Sequence, residues 1–450
     1  MRCQSRVSPQ PVNVPKTRQS LSADALHRTL RAGFELIPDQ RPRPDISLAD
    51  ALLSGFALFS LKDPSLLAFD ERRSDGNLLR LYGIGQVPSD TRLREILDPV
   101  DPAHLRPLFQ DVFRALQRGK ALEALVFHEN CYLLALDGTG YFSSPTVHCD
   151  SCLEKINSQT GAVTYSHQLL GAAIVHPDFR EVIPLAPEPI IKQDGTTKND
   201  CERNASKRLL RKTRQEHPHL EFIVIEDGLA SNAPHIREIL DLNMHFLLGA
   251  KPGDHAFLFE QWIAAADAGL VTTLSGDIRN GETWEISFAS QLSLNESHPD
   301  LKVNFLQYGE YDENGKPRKL FTWVTDLELT LQTAPHLARG GRARWKIENE
   351  TFNTLKNQGY QFDHNFGHGE QNLSVVLAML MMLAFLVDQT QQLCCPLFRA
   401  VWTKLGSKRA LWDNLRSHFR HIALTSMQHL YELMLNGLGK EMPAPLPDSS

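Results

Sequence analysis

Hydrophobic and polar positions divide the chain into a helical first part and a mixed second part. From Leu21 to about Val126, apolar residues recur every three or four positions, as in residues 108–116, which predicts amphipathic helices. Within this part, residues 82–97 contain a Gly/Pro turn followed by a segment that starts at Ser89, a residue type that caps helices well. Two interpretations are open: a helix-turn-helix that contacts DNA, or two helices that only pack together.

From Tyr132 the pattern changes to short apolar runs that alternate with helical segments. In chain order it predicts strands at 133–136, 163–175 and 181–185, a helix at 201–216, a strand at 222–225, a helix at 235–240 and a strand at 245–249. Three antiparallel strands followed by helix, strand, helix and strand is the order of a ribonuclease H-like fold, whose first and fourth strands are neighbours. Asp137 and Asp227 follow those two strands, so this fold brings their carboxylates together.

Between residues 254 and 329 the pattern is mostly β, with strands at 283–288, 303–308 and 319–324 and a hairpin turn at 312–315. The predicted fold class is therefore α/β: a ribonuclease H-like mixed-sheet core with an inserted β subdomain, preceded by a helical domain and followed by C-terminal helices. The predicted boundaries are 1–20 for a disordered basic arm, 21–128 for the helical domain, 129–253 for the first part of the core, 254–330 for the insertion, 331–392 for the last part of the core and 393–450 for basic helices with a disordered tail.

The segment 344–356 predicts a helix that carries an acid on an apolar face. At about 100° per residue, Arg344 and Phe352 lie within about 60° of Glu348 around the axis, whereas Glu350 lies on roughly the opposite side. Glu348 is therefore expected to point at the core. A carboxylate there is costly unless it meets a cation or a metal ion.

Asp137, Asp227 and Glu348 together form an oxygen-only donor set. Such a set selects hard divalent ions, Mg²⁺ or Mn²⁺, and two such ions suit an in-line displacement at phosphorus. The plain alternative is that each Asp-Gly pair is a turn at the end of a strand, where the Asp side chain bonds the backbone. The order of the three acids on this topology favours the metal site.

With these motifs the chain resembles the bacterial insertion-sequence transposases of the Asp-Asp-Glu class that carry a β insertion between the second Asp and the Glu. The resemblance covers about Pro88 to Val387. Its most specific part is residues 344–356, Arg-Trp-Lys-Ile-Glu-Asn-Glu-Thr-Phe-Asn-Thr-Leu-Lys, with the His-Asn-Phe-Gly-His that follows at 364–368. Asp137-Gly-Thr and Asp227-Gly-Leu-Ala-Ser match the two Asp motifs of the class.

The resemblance implies that Asp137, Asp227 and Glu348 are the catalytic triad, which would bind Mg²⁺ or Mn²⁺ as two ions. It also implies that Arg344 and Lys356 hold transposon-end phosphates. The chain departs from the family signature Tyr-x2-Arg-x3-Glu-x6-Lys in two places: Gly341 stands in the Tyr position, and seven residues separate Glu348 from Lys356. Glu350 is the second choice for the acid, but with it the Arg-x3-Glu spacing fails.

The activity implied by the resemblance is metal-dependent cleavage of DNA at the transposon ends, followed by attack of the freed 3′-hydroxyl on target DNA. The implied partners are the terminal inverted repeats and target DNA, bound by a homodimer. In the insertion, Trp284 or Trp323 is either a stacking platform for an unpaired base or a core residue. The alternatives are a metal-dependent nuclease without strand transfer and a transposon-derived DNA-binding regulator without catalysis.

Basic residues cluster in two places that could contact DNA phosphates. The predicted helix at 201–216 repeats its charges every three or four residues, which gives a phosphate-binding face or simply a solvated one. The segment before the Glu348 helix adds two arginines beside glycines, which would let a phosphate approach closely. The candidate contacts are Arg203, Lys207, Arg211, Arg339 and Arg342.

Composition narrows the class of protein. With 450 residues, 42% hydrophobic and 22% charged, the chain predicts a globular protein of two or three domains. A formal charge of −6 excludes a uniformly basic coat but permits local basic stripes. Seven cysteines without a signal peptide favour the cytoplasm, and the apolar run at 373–387 predicts a buried helix, because a membrane span needs about 20 residues.

A Cys-x2-Cys pair, Cys149 and Cys152, stands within sequence reach of His167 and Cys201. It is either part of a structural zinc site or a turn with two half-buried thiols. Two histidines of segment 364–368 follow the proposed catalytic helix, where they either orient the site or are structural.

Overall fold

The structure is a computed structural model that describes residues 18–192, 200–279 and 281–437. Apart from residues 18–20, the predicted N-terminal arm lies outside the described residues, and so does the predicted tail after residue 437. The α-helices are α1 Ala23–Glu35, α2 Leu48–Ser60, α3 Leu66–Asp70, α4 Asp90–Leu97, α5 Arg106–Arg118, α6 Glu202–Glu216, α7 Ala233–Asp241, α8 Ala256–Asp267, α9 Thr333–Arg342, α10 Asn353–Asn357, α11 Leu373–Cys394, α12 Pro396–Leu405, α13 Lys408–His421 and α14 Met427–Asn436. The strands are β1 Cys131–Ser144, β2 Leu153–Ile156, β3 Val163–Val175, β4 Ile183–Pro184, β5 Glu188–Ile190, β6 Glu221–Glu226, β7 His245–Gly249, β8 Thr272–Asp277, β9 Thr283–Ser293, β10 Lys302–Tyr311 and β11 Pro317–Thr325.

The described residues form two compact units. The helical unit contains the residues up to Ala121, residues 356–362 and the residues from Asn372 onward. The sheet unit contains residues 122–355 and 363–371. Helix α11 therefore belongs with the N-terminal helices, whereas the sequence analysis grouped it with the proposed catalytic core.

The helical unit is organised around α11, which is apolar from Leu373 to Val387 except at Ser374 and is buried from Leu373 to Gln392. Its length and composition would allow it to cross a membrane, but its most apolar stretch is fully buried inside the protein. It is therefore the buried helix that the sequence predicted. The predicted helices of the N-terminal part are also present. The Ser89 hydroxyl accepts a hydrogen bond from the Arg92 backbone N–H at 3.3 Å, so α4 begins at its predicted cap.

A charged pair lies inside the helical unit. The Lys62 Nζ is 2.5 Å from an Asp388 carboxylate oxygen, and the Lys62 side chain is fully buried. The same carboxylate accepts a hydrogen bond from the Tyr360 hydroxyl. The Lys62 ammonium also lies 4.2 Å from the centre of the Trp412 ring, so aromatic faces complete its surroundings.

The sheet unit contains one mixed sheet with the strand order β2-β3-β1-β6-β7-β11-β10-β9-β8, and the short strands β4 and β5 also pair with β3. β1 is antiparallel to β3 and parallel to β6, which is parallel to β7. The chain is therefore a mixed α/β protein. The strands predicted at 163–175 and 245–249 match β3 and β7 residue for residue.

The predicted strands of the insertion are present within β9, β10 and β11, and the predicted turn joins the last two. They do not form a separate layer, however, because β11 pairs antiparallel with β7, as at Val324 opposite Leu248. The insertion therefore continues the same sheet. It also contains helix α8 and strand β8, which the sequence pattern did not predict.

Candidate active site

The first predicted acid, Asp137, lies inside a strand and not in a turn. β1 continues to Ser144 because β3 supplies its hydrogen-bond partners, with Asp137 opposite Gly171. The expectation that the strand ends at Asp137-Gly138 was therefore wrong. What ends near this point is the parallel ladder to β6, whose last pair is Ala135 with Ile225.

The second acid, Asp227, directly follows β6. It lies two residues beyond Ile225, just as Asp137 lies two residues beyond Ala135, so the two acids occupy equivalent places on neighbouring parallel strands. The Asp227 Oδ1 accepts a hydrogen bond from the Leu229 backbone N–H at 3.0 Å, which fixes the turn after the strand. The order of the strands thus brings the first two predicted acids to one edge of the sheet.

The third acid, Glu348, lies on a π-helix that spans Ile347–Phe352 and continues into α10. Ile347 and Phe352 are buried against the sheet, and a Cβ built at Gly171 would lie 2.9 Å from the Phe352 Cζ. The helix therefore packs on β3 at Gly171, the residue that pairs with Asp137.

Glu348 does not point into the core, as the 100° arithmetic predicted. Its side chain is 57% exposed. The reason is the π-helix, whose i→i+5 hydrogen bonds rotate successive residues by less than in an α-helix, so faces calculated for an α-helix do not apply. Trp345, three residues before Glu348, is exposed as well.

A guanidinium group connects the first and third acids. The Arg344 Nη1 lies 3.4 Å from the Asp137 Oδ2, and the Arg344 Nη2 lies 3.8 Å from the Glu348 Oε2. Glu350, the second choice for the acid, instead pairs with Arg180 at 3.1 Å. Of the two glutamates, Glu348 is therefore the one that shares a partner with Asp137.

Glu202, at the start of α6, is a fourth acid that the sequence analysis missed. Its Oε1 lies 2.2 Å from the place that a Cβ on Gly138 would occupy, so Glu202 lies directly over the residue after Asp137. Its only sequence signal was an acid in the first turn of a helix, which the helix dipole explains by itself. The absence of a side chain on Gly138 leaves the room that Glu202 occupies.

Two carboxyl groups of this site have raised pKa values, first because they are buried and second because other carboxylates lie nearby. Burial raises the pKa of Asp137 to about 6, the Arg344 charge opposes this, and the Glu348 and Glu202 carboxylates raise it further. The pKa of Glu202 is also raised, by burial and by the charges of Asp227 and Glu226. Carboxylates that raise one another's pKa attract a cation, and their oxygen atoms suit Mg²⁺ or Mn²⁺.

The acids do not form a closed cage. Among the residues that the structure describes, Asp137, Asp227 and Glu348 do not form a group whose ligand atoms converge on one ion. Arg344 occupies the space between two of them. A shared ion would require the exposed Glu348 side chain to turn toward the sheet edge.

The predicted DNA-binding face of α6 is largely engaged within the protein. Arg211 makes two hydrogen bonds to Glu238, at 2.5 and 2.8 Å, and Arg208 bonds Glu188 at 2.8 Å. Arg203 is exposed and Lys207 is half-buried. The helix therefore presents less positive charge than its sequence suggested, because acids of neighbouring elements pair with it.

The arginines before the Glu348 helix also have partners in the sheet unit. Arg339 pairs with Asp178 at 2.5 Å, and Arg342 lies 3.5 Å from Glu310, with its guanidinium 5.0 Å from the centre of the Tyr308 ring. Lys356 is half-buried and belongs to the helical unit.

The glycines between these arginines serve packing and not phosphate approach. A Cβ at Gly340 would lie 2.7 Å from the Phe127 ring, and a Cβ at Gly341 would lie 2.5 Å from the Trp323 ring. Trp323 is accordingly a core residue, which removes it as a stacking platform, whereas Trp284 is half-buried. The Tyr of the transposase signature could not fit at Gly341, because Trp323 fills the space.

A basic residue that the sequence analysis did not single out lies beside the second acid. Lys251 follows β7 in an exposed loop, and its Cγ lies 3.4 Å from the place of a Cβ on Gly228. The loop is tied to the turn after Asp227, because the His255 Nε2 is 2.8 Å from the Ser231 carbonyl oxygen. Lys251 can therefore present a positive charge next to Asp227.

The predicted cysteine pair lies in the same unit with two histidines. Cys149, Cys152, His167 and His368 have ligand atoms that are all within 4.8 Å of one another, whereas Cys201 is exposed at the cap of α6 and outside this group. His368 therefore has a partner in the cysteine pair, which the sequence analysis did not foresee. Comparison of the chain with known proteins adds no assignment: no protein-family model matches it, and no curated protein matches it.

Proposed function

We propose that the chain is a DNA transposase, which cuts phosphodiester bonds at transposon ends with divalent metal ions and joins the freed 3′-hydroxyl to target DNA. One observation carries the proposal. Asp137 and Asp227 occupy equivalent places on neighbouring parallel strands, and Glu348 comes from a helix that packs on the same sheet. Oxygen donors in this arrangement suit phosphoryl transfer.

The strand order supports a ribonuclease H-like core. In the series β5-β3-β1-β6-β7, only β3 runs against the other strands, which is the strand order of that fold. The insertion β8–β11 then stands between the second acid and the third, as the resemblance to the transposases implies. The chain's resemblance and its topology are therefore consistent with each other.

Each residue of the site has a role in this proposal. The two Asp carboxylates and Glu348 would hold Mg²⁺ or Mn²⁺, and such ions, when bound, polarise the attacking and leaving oxygens. Arg344, which pairs with Asp137 and Glu348 in this structure, would become available to a DNA phosphate if those carboxylates held a metal ion instead. Lys251 would hold a phosphate on the Asp227 side.

The test uses the full-length protein and a plasmid that carries the gene with its flanking DNA. Nicking at the element ends and joined products are measured with Mg²⁺ and with EDTA. We expect Asp137→Asn and Glu348→Gln to abolish both reactions. Glu350→Gln is the matched control and should remain active, because Glu350 pairs with the exposed Arg180, an interaction worth at most about 1 kcal/mol.

The outcomes separate the alternatives. Unchanged cleavage by Asp137→Asn would refute the proposed site, and inactivity of Glu350→Gln with an active Glu348→Gln would move the acid to Glu350. Cleavage without any joined product identifies a nuclease. Binding of the flanking repeats without cleavage by the parent protein identifies a regulator.

A further inference from the structure

The group formed by Cys149, Cys152, His167 and His368 has the geometry of a tetrahedral metal site. The two Sγ atoms are 3.8 Å apart. The His167 Nε2 lies 3.4 Å from each Sγ, and the His368 Nε2 lies 3.4 Å from the Cys152 Sγ. These four atoms come from a turn, from β3 and from segment 363–371, so the fold and not the local sequence assembles them.

The distances agree with ligands around one zinc ion. Zn–S bonds of about 2.3 Å and Zn–N bonds of about 2.0–2.1 Å at tetrahedral angles place two sulfur atoms about 3.8 Å apart, and sulfur and nitrogen about 3.5 Å apart. A disulfide would bring the sulfur atoms to about 2.05 Å, so the 3.8 Å separation excludes one here. Two thiolates with two imidazoles favour Zn²⁺ over the hard ions that carboxylates bind.

The surroundings direct the donor atoms inward. Cys152 and His167 are each only 1% exposed, and His368 is 8% exposed. The Nδ1 atoms of both histidines are buried without a hydrogen-bond partner, so the Nε2 atoms are the ring nitrogens with polar neighbours, and those neighbours are the thiols. The Phe142 ring lies 4.3 Å from the His368 ring and helps to exclude water from this side.

The backbone also prepares the cysteine pair for a metal ion. The Cys149 backbone N–H donates to the Cys152 Sγ at 3.4 Å, and the Cys152 N–H donates to the Cys149 carbonyl at 3.1 Å. This tight turn points both sulfur atoms the same way. A backbone N–H that donates to sulfur stabilises the thiolate, which is the form that binds metal.

We propose that Cys149, Cys152, His167 and His368 bind one structural Zn²⁺ ion. The ion joins the segment that contains His368 to β3, the strand that pairs with β1 opposite Asp137. Cys152 and His368 are 216 residues apart in sequence, so the ion closes a long loop and stabilises the folded sheet unit. This inference does not rest on the proposed reaction, because its ligands and its readouts are separate from the carboxylates.

The first experiment measures metal in the purified full-length protein by mass spectrometry and replaces it with Co²⁺. We expect one zinc per chain, and for the cobalt form the intense visible bands of a tetrahedral ion with thiolate-to-cobalt charge transfer. Co²⁺ held only by carboxylates lacks the charge-transfer band, so this readout distinguishes the two sites. A protein that binds neither zinc nor cobalt through sulfur overturns the proposal.

Variants then test the ligands one by one. Cys152→Ser and His368→Ala should lose the zinc, whereas the matched controls Cys201→Ser and His364→Ala should retain one ion per chain. Cys149→His keeps four donors and should retain zinc while the cobalt charge-transfer band weakens, which keeps the test valid if Cys152→Ser fails to fold. Full zinc content in a soluble Cys152→Ser or His368→Ala variant would overturn the assignment.

The zinc proposal and the transposase proposal can be refuted independently of each other. Asp137→Asn should keep its zinc, since Asp137 is not among the four ligands. Loss of zinc from Asp137→Asn would contradict a separate site. A zinc-loaded protein without DNA cleavage would refute only the proposed function.

Discussion

Gly171 controls how closely the Glu348 helix approaches the sheet. It lies on β3 opposite Asp137, and a Cβ at this position would lie 2.9 Å from the Phe352 Cζ and 3.1 Å from its Cε1. Carbon atoms are comfortable at about 3.5–4.0 Å, so Gly171→Ala forces the Phe352 ring back by about 0.6 Å. Phe352 is 4% exposed and Ile347 is fully buried, so the helix has little free space into which to move.

Overpacking of this kind costs about 1–3 kcal/mol of folding free energy. Displacement of a catalytic group by about 1 Å costs on the order of a hundredfold in rate, so a shift of about 0.6 Å in Phe352, on the same π-helix as Glu348, should lower cleavage by about tenfold or more. We therefore expect Gly171→Ala to lower both the urea midpoint and the rate of Mg²⁺-dependent cleavage. Both are measured on the full-length protein.

Two further variants separate this mechanism from a general effect of an added methyl group. Gly140→Ala, on β1, is the matched control, because its Cβ would meet its nearest neighbours at an ordinary 4.0 Å. Phe352→Leu in the Gly171→Ala background removes the clashing ring atoms and should restore part of the lost activity. Parental stability and activity in Gly171→Ala would refute the tight contact, and equal losses in Gly140→Ala would refute its specificity.

Three other predictions concern charged residues. Lys62→Met or Asp388→Asn alone should lower the free energy of urea unfolding by about 3–5 kcal/mol, because each leaves the other charge buried without its partner. The double variant should lose less than the sum of the two single losses, and strictly additive losses would show that the two residues do not interact. The hydrogen bond to Asp326 raises the pKa of His245, so this pair stabilises fully below the ordinary His value of about 6.5 and fades as pH rises through the higher folded-state pKa. The parent should therefore be more stable than His245→Gln near pH 6, by at most about 1 kcal/mol, and the two should be equally stable at about pH 9. A stability difference of the same size at both pH values would contradict the linkage. Lys251→Gln should weaken DNA binding and lower the slope of log affinity against log salt by about one, with unchanged stability, and an unchanged slope would exclude a phosphate contact.

Strands with apolar runs between clear turn signals were predictable from the sequence, and β3 and β7 are the clearest cases. The continuation of β1 past Asp137 was not, because Gly138-Thr-Gly140 has the composition of a turn and becomes a strand only through its pairing with β3. The short strands β2 and β5 were missed for the same reason. Tertiary hydrogen bonds, and not local propensity, determine these strands.

The candidate site also contains residues that the sequence could predict and residues that it could not. Acids after predicted strands were visible in sequence, and the order of the strands placed Asp137 and Asp227 on neighbouring strands. Glu202 gave no such signal, because its relation to Asp137 depends on the empty space over Gly138. His368 was equally hidden as a partner of Cys152, since only the folded sheet unit brings those two residues together.

The irregular spacing in the Glu348 helix has a structural reason. A π turn closes its hydrogen bond one residue later than an α-helical turn, and π turns occur mostly as single-turn bulges inside α-helices, often at functional sites. The transposase signature that the chain resembles places six residues between Glu and Lys, whereas seven separate Glu348 from Lys356, and the π-helix Ile347–Phe352 covers the first part of that interval. The π turn provides room for one residue more than that signature has, without a break in the helix. The same turn explains the exposed Glu348, because it changes which residues share a face of the helix.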